Sequence, residues 1–163
     1  MSGSGALALR EVTKRYGNAE RPAVDAVSLQ VRAGELLALV GASGSGKTTT
    51  LRIAAGYERP DSGDVELAGG DGVSRVITAL PPERRGFGMV FQHYALFPHM
   101  TVEENVAFGL EARGVKKAER LARAREALAG VGLEGKGSRH VQALSGGEQQ
   151  RVALARALVI EPP

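Results

Sequence analysis

Apolar and polar residues at the start of the chain follow a pattern that is typical of antiparallel strands. Residues 7–12 and 24–31 are short runs rich in apolar and β-branched side chains. A polar turn around Gly17 and Asn18 separates the two runs. The pattern therefore predicts two strands of an antiparallel meander.

Three further apolar runs predict strands of other kinds. The run ELLALVG ends at Gly41 and shows no alternation, which predicts a strand buried on both faces. Residues 65–67 form one short strand inside a segment rich in turn residues. Residues 88–91 predict one more strand, which ends at Gln92.

From about Thr101 the apolar residues take a helical spacing. One helix follows Thr101, an arginine-rich helix covers residues 116–130, and a third helix follows the sequence LSGGEQQR. The apolar residues that define these helices are Val102, Val106, Leu110, Leu121, Leu128, Val131, Val152, Ala155, Leu158 and Val159.

Composition narrows the class of protein. A chain of 163 residues is long enough to bury a core, and the absence of cysteine excludes disulfides and thiolate zinc sites. The net charge is +3 with scattered basic residues, so we expect no nucleic-acid partner. No signal segment and no apolar run of about 18 residues is visible. These features predict a soluble, cytoplasmic protein that reaches a membrane only through a partner.

The sequence GASGSGKT, from Gly41 to Thr48, matches the pattern of a phosphate-binding loop between a strand and a helix. Its glycines let successive N–H groups surround an anion, and the start of the following helix adds positive charge. Lys47 supplies a charge for the β and γ phosphates, and the Thr48 hydroxyl is a ligand for magnesium. GTPases, kinases and motor ATPases share this loop. The predicted nucleotide-binding residues here are Gly41, Ser43, Gly44, Ser45, Gly46, Lys47, Thr48 and Thr49.

A second helix start carries the features of an anion site. LSGGE places Ser145, Gly146 and Gly147 directly before a helix, about 100 residues after the first motif. Together with the phosphate loop and the continuation QQRVALARAL, it makes the chain resemble the ATP-binding subunits of ABC transporters. Glu148 stands where glutamine is most common in that family. Glutamate favours a helix start electrostatically but is close to incoming phosphates, so we expect it to be tolerated, with altered nucleotide affinity as the alternative.

The resemblance implies ATP and Mg²⁺ as cofactors and gives roles to further residues. Tyr16 resembles the aromatic residue that stacks on adenine, and Gln92 resembles the glutamine that contacts magnesium and the attacking water. Lys47 and Gln92 are thus the expected catalytic residues. In this family two subunits pack head to tail, so Ser145, Gly146, Gly147 and Glu148 act on the ATP of the partner subunit.

HYALFPHMTVEENVAFGL, from His93 to Leu110, is similar to the family segment that docks on transmembrane permease subunits. We expect its apolar residues Tyr94, Leu96 and Phe97 to be exposed there. The sequence of this segment is most similar to that of importers of polyamines, sulfate, ferric iron, molybdate or sugars. The solute is selected by other subunits. The resemblance places the protein on the cytoplasmic, inner face of the membrane.

The resemblance also implies a fold, an α/β P-loop NTPase with a RecA-like core, an antiparallel β subdomain and a helical signature subdomain. We expect residues 1–92 to form the core and β subdomain, residues 93–147 the helical subdomain, and residues 148–163 the signature helix.

The final sequence, ARALVIEPP, allows two interpretations. It is either a closing strand whose Glu161 serves magnesium, or the tail of the signature helix. Continuous helical spacing and the two terminal prolines favour the helix. By the family pattern, the strand with the magnesium-binding aspartate and the catalytic glutamate then follows residue 163, so the core sheet is incomplete.

Three functions remain open after this interpretation. The first is an importer ATPase subunit, of which this chain alone binds nucleotide but lacks the catalytic carboxylates. The second is a non-enzymatic nucleotide-binding or interaction module. The third is a soluble family member that acts away from membranes, although such proteins usually carry two cassettes or long insertions.

Overall fold

The computed structural model describes residues 7–163. The chain divides into two compact units, one that ends at Arg85 and one from Gly86 to Pro162. No helix in residues 7–163 has the length and apolar character needed to span a bilayer.

The first unit is built on an antiparallel sheet of four strands. The strands are β1 (Leu7–Lys14), β2 (Val24–Val31), β3 (Ser62–Ala68) and β4 (Ser74–Val76), in the order β2-β1-β3-β4. The predicted antiparallel meander of β1 and β2 is confirmed, and so is the strand predicted at residues 65–67. Two helices complete the unit, α1 (Lys47–Ala55) and the single turn α2 (Pro82–Arg85).

The centre of the sheet carries its core. Leu9 of β1 pairs with Leu29 on one side and with Val65 on the other, and Leu9 and Val65 are fully buried. After Leu9 the register of β1 shifts on both sides, and Glu11 takes a φ of +47°. The carbonyls of Arg10 and Glu11 lie 2.4 Å from where a Cβ on Gly63 would stand, so the bulge requires glycine opposite it.

Two predicted strands are absent from the structure, and these predictions were wrong. Residues 35–41, the run ELLALVG, form no strand, and Leu36 and Val40 are 96% and 93% exposed. Residues 88–91 form no strand either. In the described part of the chain no other strand pairs with these segments. An apolar run forms a strand only where a neighbouring strand pairs with its backbone N–H and C=O groups.

The second unit is a cluster of three helices, α3 (Val102–Ala112), α4 (Lys117–Gly130) and α5 (Gly146–Leu158), with a 3₁₀ turn at Val141–Ala143. The predicted helices are confirmed. Most of the predicted apolar positions pack in its core. Leu158 is the exception at 52% exposure, because it lies about 120° around the helix from Val152. The buried members of the predicted set are Val102, Val106, Leu110, Leu128, Val152, Ala155 and Val159.

Arg85 closes the carboxyl end of α1 from inside the first unit. Its guanidinium donates to the carbonyls of Ile53 and Ala54 at 2.8 and 2.9 Å, and these are among the last carbonyls of the helix. It also donates to the carbonyls of Thr78 and Leu80, and the residue is only 4% exposed. Burial lowers the pKa of Arg85 from its ordinary value. The arginine therefore satisfies a helix end that otherwise leaves buried acceptors unpaired.

We expect Arg85→Met to lower the free energy of unfolding by about 2–4 kcal/mol, because several buried carbonyls lose a charged donor. Urea unfolding followed by circular dichroism measures this change. Arg84→Met is the matched control, since the neighbouring Arg84 is exposed. Equal stability of the two variants would contradict the assigned role of Arg85.

Candidate functional site

The phosphate loop, residues 41–48, runs directly into α1. Gly44 and Gly46 have φ values of +81° and +88°, which favour glycine. A Cβ on Gly46 would also lie 2.2 Å from the carbonyl oxygen of Ala23. Gly46 is the N-cap of α1 and provides no side-chain cap. The turn into α1 thus depends on the absence of a side chain at this residue.

The amino end of α1 presents backbone donors. The first hydrogen bond within this helix runs from the Thr50 amide to the carbonyl of Gly46, at 2.8 Å. The amides of residues 47–49 precede that bond, and no acidic residue occupies the first turn. A cavity of about 280 Å³ adjoins this end and is lined by Ala23 and residues 44–49. Together these features form a concavity with backbone donors and no negative charge in the first turn, which is the arrangement that anions favour.

Lys47 lies folded back on the phosphate loop. Its Nζ donates to the carbonyls of Gly41 and Ala42 at 2.8 and 2.6 Å, and to the Ser45 hydroxyl at 3.2 Å. All of these partners are uncharged. A bound phosphate would offer the ammonium an anionic partner, which forms a stronger hydrogen bond than a neutral carbonyl.

The other predicted residues of the loop are mostly accessible. Ser43 and Thr48 are exposed, and Thr49 is half-buried. Sequence reasoning missed Thr50, which is buried and whose hydroxyl donates to the Gly46 carbonyl at 3.0 Å. Its only signal was the third position in a run of threonines. This bond fixes the helix start from within.

Tyr16 is on the loop that joins β1 to β2, and the end of that loop touches the phosphate loop. The Ala23 amide donates to the carbonyl of Lys14 at 2.7 Å, and the Ala23 carbonyl lies against Gly46. The Tyr16 ring is 44% exposed, and its hydroxyl donates to Glu58 Oε2 at 3.1 Å. In the first unit, the loop that carries the exposed Tyr16 therefore also contacts the phosphate loop.

The signature motif, residues 144–148, begins α5 with a complete capping box. Ser145 is the N-cap, its hydroxyl accepts from the Glu148 amide, and the Glu148 carboxylate accepts from the Ser145 amide at 2.7 Å. The Ser145 hydroxyl lies 2.8 Å from the same carboxylate oxygen. A Cβ on Gly146 or Gly147 would meet nothing within 4 Å, so both glycines border open space. The start of α5 is therefore capped, and it remains accessible from outside.

Lys136 neutralises the charge of Glu148. Its ammonium forms an ion pair with Glu148 Oε1, while Oε2 serves the capping box. The contact with Lys136 and the hydrogen bonds from Ser145 lower the pKa of Glu148 to about 2. The sequence indicated a negative charge close to incoming phosphates. The structure adds a cation that compensates it. Lys136 is twelve positions before Glu148, and no signal in the sequence indicated this pairing.

Gln92 and the segment after it belong to the second unit. Gln92 is exposed at the start of a turn. Tyr94 and Ala95 take positive φ values of 59° and 46°, and Arg156 donates to both of their carbonyls at 2.7 Å. The signature helix therefore holds this turn through one arginine.

The expectation that Tyr94, Leu96 and Phe97 are exposed needs correction, because all three are half-buried. Leu96 packs against the helical core, and the Phe97 ring lies 4.5 Å from that of Phe108. The fully buried Asn105 explains this packing, since its amide bonds both the N–H and the carbonyl of Phe97. Sequence reasoning missed Asn105, which has no signal beyond a polar residue on an apolar helix face.

The end of the chain is helical, as the spacing predicted. The α5 helix runs to Leu158, and Glu161 follows it with a φ of +51°. The Glu161 carboxylate forms an ion pair with Arg123 of α4 at 2.7 Å. ALVIEPP is therefore no strand. Across residues 7–163 no group of three or more His, Cys, Asp or Glu side chains could hold a metal ion.

Comparison with known proteins gives consistent matches. Residues 24–163 match the family model described as ABC transporter. The chain is 53% identical over 158 residues to the Fe(3+) ions import ATP-binding protein FbpC of Brucella abortus, covering 97% of this chain and 43% of that protein. It is 51% identical over 159 residues to the spermidine/putrescine import ATP-binding protein PotA of Thermobifida fusca, covering 96% and 40%. The chain thus spans less than half the length of these relatives.

A solved structure shares the fold. The dimeric, post-hydrolysis state of the ATP-binding cassette MJ0796, bound to ADP and Pi, superposes with a TM-score of 0.80 at 35% identity. The match covers 96% of this chain and 71% of that one. The expected class of fold, a P-loop NTPase cassette with an antiparallel sheet, is confirmed.

We expect the low pKa of Glu148 to make stability depend on acid pH. Its ordinary pKa is 4.5 and its folded pKa is about 2, so its contribution is complete above pH 4.5 and is lost as the pH falls toward 2. Unfolding free energies measured across this range should fall more steeply for the wild type than for Glu148→Gln. Lys136→Met should move the loss to higher pH, because it removes the largest cause. Identical profiles for all three proteins would contradict this account.

Proposed function

Because the chain belongs to the ABC transporter family, we propose that it is an ATP-binding subunit that couples ATP binding and hydrolysis to solute import. The observation that carries the proposal is the phosphate loop itself. A cavity at the amino end of α1 combines backbone donors with a lysine whose present partners are neutral. Backbone donors and a lysine are the groups that bind the phosphates of a nucleoside triphosphate.

We propose that the phosphate loop and Tyr16, both in the first unit, each bind one part of MgATP. The amides of residues 44–49 surround the phosphates, and Lys47 exchanges its loop carbonyls for the β and γ phosphates. The exposed Tyr16 ring stacks on the adenine. Mg²⁺ usually keeps several waters and takes few protein ligands, which fits the exposed Thr48 as its ligand in the first unit. When bound, the ion neutralises charge on the phosphates.

We also propose that two subunits close head to tail around ATP. The signature motif supports this, because Gly146 and Gly147 leave the start of α5 accessible. A γ-phosphate from another subunit can then meet the α5 helix start and the Ser145 hydroxyl. The MJ0796 cassette, with which this chain shares its fold, is described as dimeric.

Docking on a transmembrane permease completes the proposal and places the protein on the inner, cytoplasmic face of the membrane. The segment from residue 93 to 100 supports it, because Arg156 and Asn105 hold its backbone in a defined shape while His93, Pro98 and His99 stay exposed. The two relatives described above are named for iron and for polyamines, so similarity alone selects no solute.

Nucleotide binding is tested first. We expect the chain to bind ATP with Mg²⁺ in equilibrium dialysis and Lys47→Ala to weaken binding at least about tenfold, since a charge-assisted contact is lost. Ser145→Ala is the matched control for binding by one subunit, and it should reduce only the ATP-dependent dimer seen in sedimentation velocity. Unchanged affinity in Lys47→Ala would refute the assigned site, and phosphate release with MgATP would show whether this chain alone turns ATP over.

Docking is tested by cross-linking, for which the absence of native cysteine is an advantage. We expect a single cysteine at His99 to cross-link to the permease subunits of the assembled importer in membranes. A cysteine at the exposed Glu134, on the α4–α5 connection, is the matched control. Equal cross-linking from both positions would count against docking through residues 93–110.

A further inference from the structure

We propose that Glu58 is a positioning residue that, with Lys14, holds the Tyr16 ring for the base of the nucleotide. The proposal rests on the function proposed above and adds two residues to it. Neither residue lies in the phosphate loop or in the signature motif.

The Glu58 carboxylate uses both of its oxygens near the ring. Oε2 accepts from the Tyr16 hydroxyl at 3.1 Å, and Oε1 lies 2.7 Å from the Lys14 ammonium. The same ammonium is 5.4 Å from the centroid of the Tyr16 ring, within the range of a cation–π contact. The ring is therefore held at its hydroxyl and approached by a cation, yet it remains 44% exposed.

Glu58 is itself fixed to the end of α1. Gly56 caps the helix in the left-handed conformation, and the amides of Tyr57 and Glu58 donate to the Arg52 carbonyl at 2.9 and 3.3 Å. This places the carboxylate on a turn of defined geometry and not on a free loop.

The loop that carries Tyr16 thus meets α1 at both ends. Ala23 abuts Gly46 where the helix begins, and Tyr16 bonds Glu58 just after it ends. A helix of nine residues is about 13 Å long, and it is a rigid spacer. The distance between the aromatic ring and the phosphate loop is therefore set by α1, as recognition of a base joined to a triphosphate requires.

Lys14 and Glu58 are both charged near neutral pH, because the pKa of Lys14 is raised from 10.5 and the pKa of Glu58 is lowered from 4.5. The two side chains are only 14% and 25% exposed. The hydrogen bond between them is the largest cause that raises the pKa of Lys14 and lowers the pKa of Glu58. Lys14 also donates to the Arg59 carbonyl at 2.8 Å, which ties it to the same turn.

Asp61 provides a comparison within the same cluster. Its carboxylate lies 3.5 Å from Lys14 and accepts from the Arg15 amide at 2.7 Å. The carboxylate contacts these two residues and not the Tyr16 hydroxyl. Asp61→Asn therefore removes a carboxylate charge beside Lys14 without removing the support of the ring.

The test compares two probes, ATP and inorganic tripolyphosphate, both with Mg²⁺, by equilibrium dialysis or calorimetry. We expect Glu58→Gln to weaken ATP binding about fivefold, because the neutral amide loses the ion pair with Lys14 and is a weaker acceptor for the Tyr16 hydroxyl, and to leave tripolyphosphate binding unchanged. Tyr16→Phe, which keeps the ring and loses the hydroxyl, should have the same effect. Glu58→Gln added to Tyr16→Phe should cause little further loss. Asp61→Asn should bind both probes like the wild type.

Several results would overturn the inference. Equal weakening of ATP and tripolyphosphate in Glu58→Gln would show a general structural effect, and full additivity with Tyr16→Phe would show that Glu58 does not act through the hydroxyl. Equal affinity of the wild type for the two probes would show that the base is not recognised, although the phosphate site would stand. Failure of the wild type to bind either probe would refute the proposed function itself.

Discussion

A close approach between two backbone segments shapes the phosphate site. The carbonyl of Ala23 lies so near Gly46 that a Cβ there would come within 2.2 Å of its oxygen, and Gly46 has a φ of +88°. Only a residue without a side chain permits both conditions. The approach places the β1–β2 loop against the start of α1. The amides at this helix start and the ring of Tyr16 are consequently parts of one framework in the first unit.

The two helix starts differ in how their charge is balanced. The first turn of α1 has no acidic residue, and its lysine contacts only neutral groups of the loop. The first turn of α5 carries Glu148, which caps the helix and is neutralised by Lys136. An anion is therefore attracted more strongly to the start of α1. The start of α5 suits a contact made after the phosphate is already bound elsewhere, as in the dimer closure proposed above.

Predictions from periodicity succeeded where a segment needs few distant partners. The meander of β1 and β2 and the three helices of the second unit formed as predicted, since their contacts are mostly between neighbouring elements. The runs at residues 35–41 and 88–91 failed as strands, because a strand depends on neighbours that its own sequence does not specify. The half-burial of Phe97 was missed for a similar reason. It depends on Asn105, a polar residue that periodicity cannot pair with a backbone eight residues earlier.

The sequence by itself determined the phosphate loop, the signature helix start and the helical end of the chain. In these features the chemistry follows from residue type and local spacing, and a glycine or a capping serine acts within a few residues of itself. Only the tertiary structure decided which charges meet. Lys136 with Glu148, and Lys14 with Glu58 and Tyr16, are pairs that turns bring together, and no local pattern encodes them. The reason is physical, because an ion pair requires a short distance in space and is indifferent to separation along the chain.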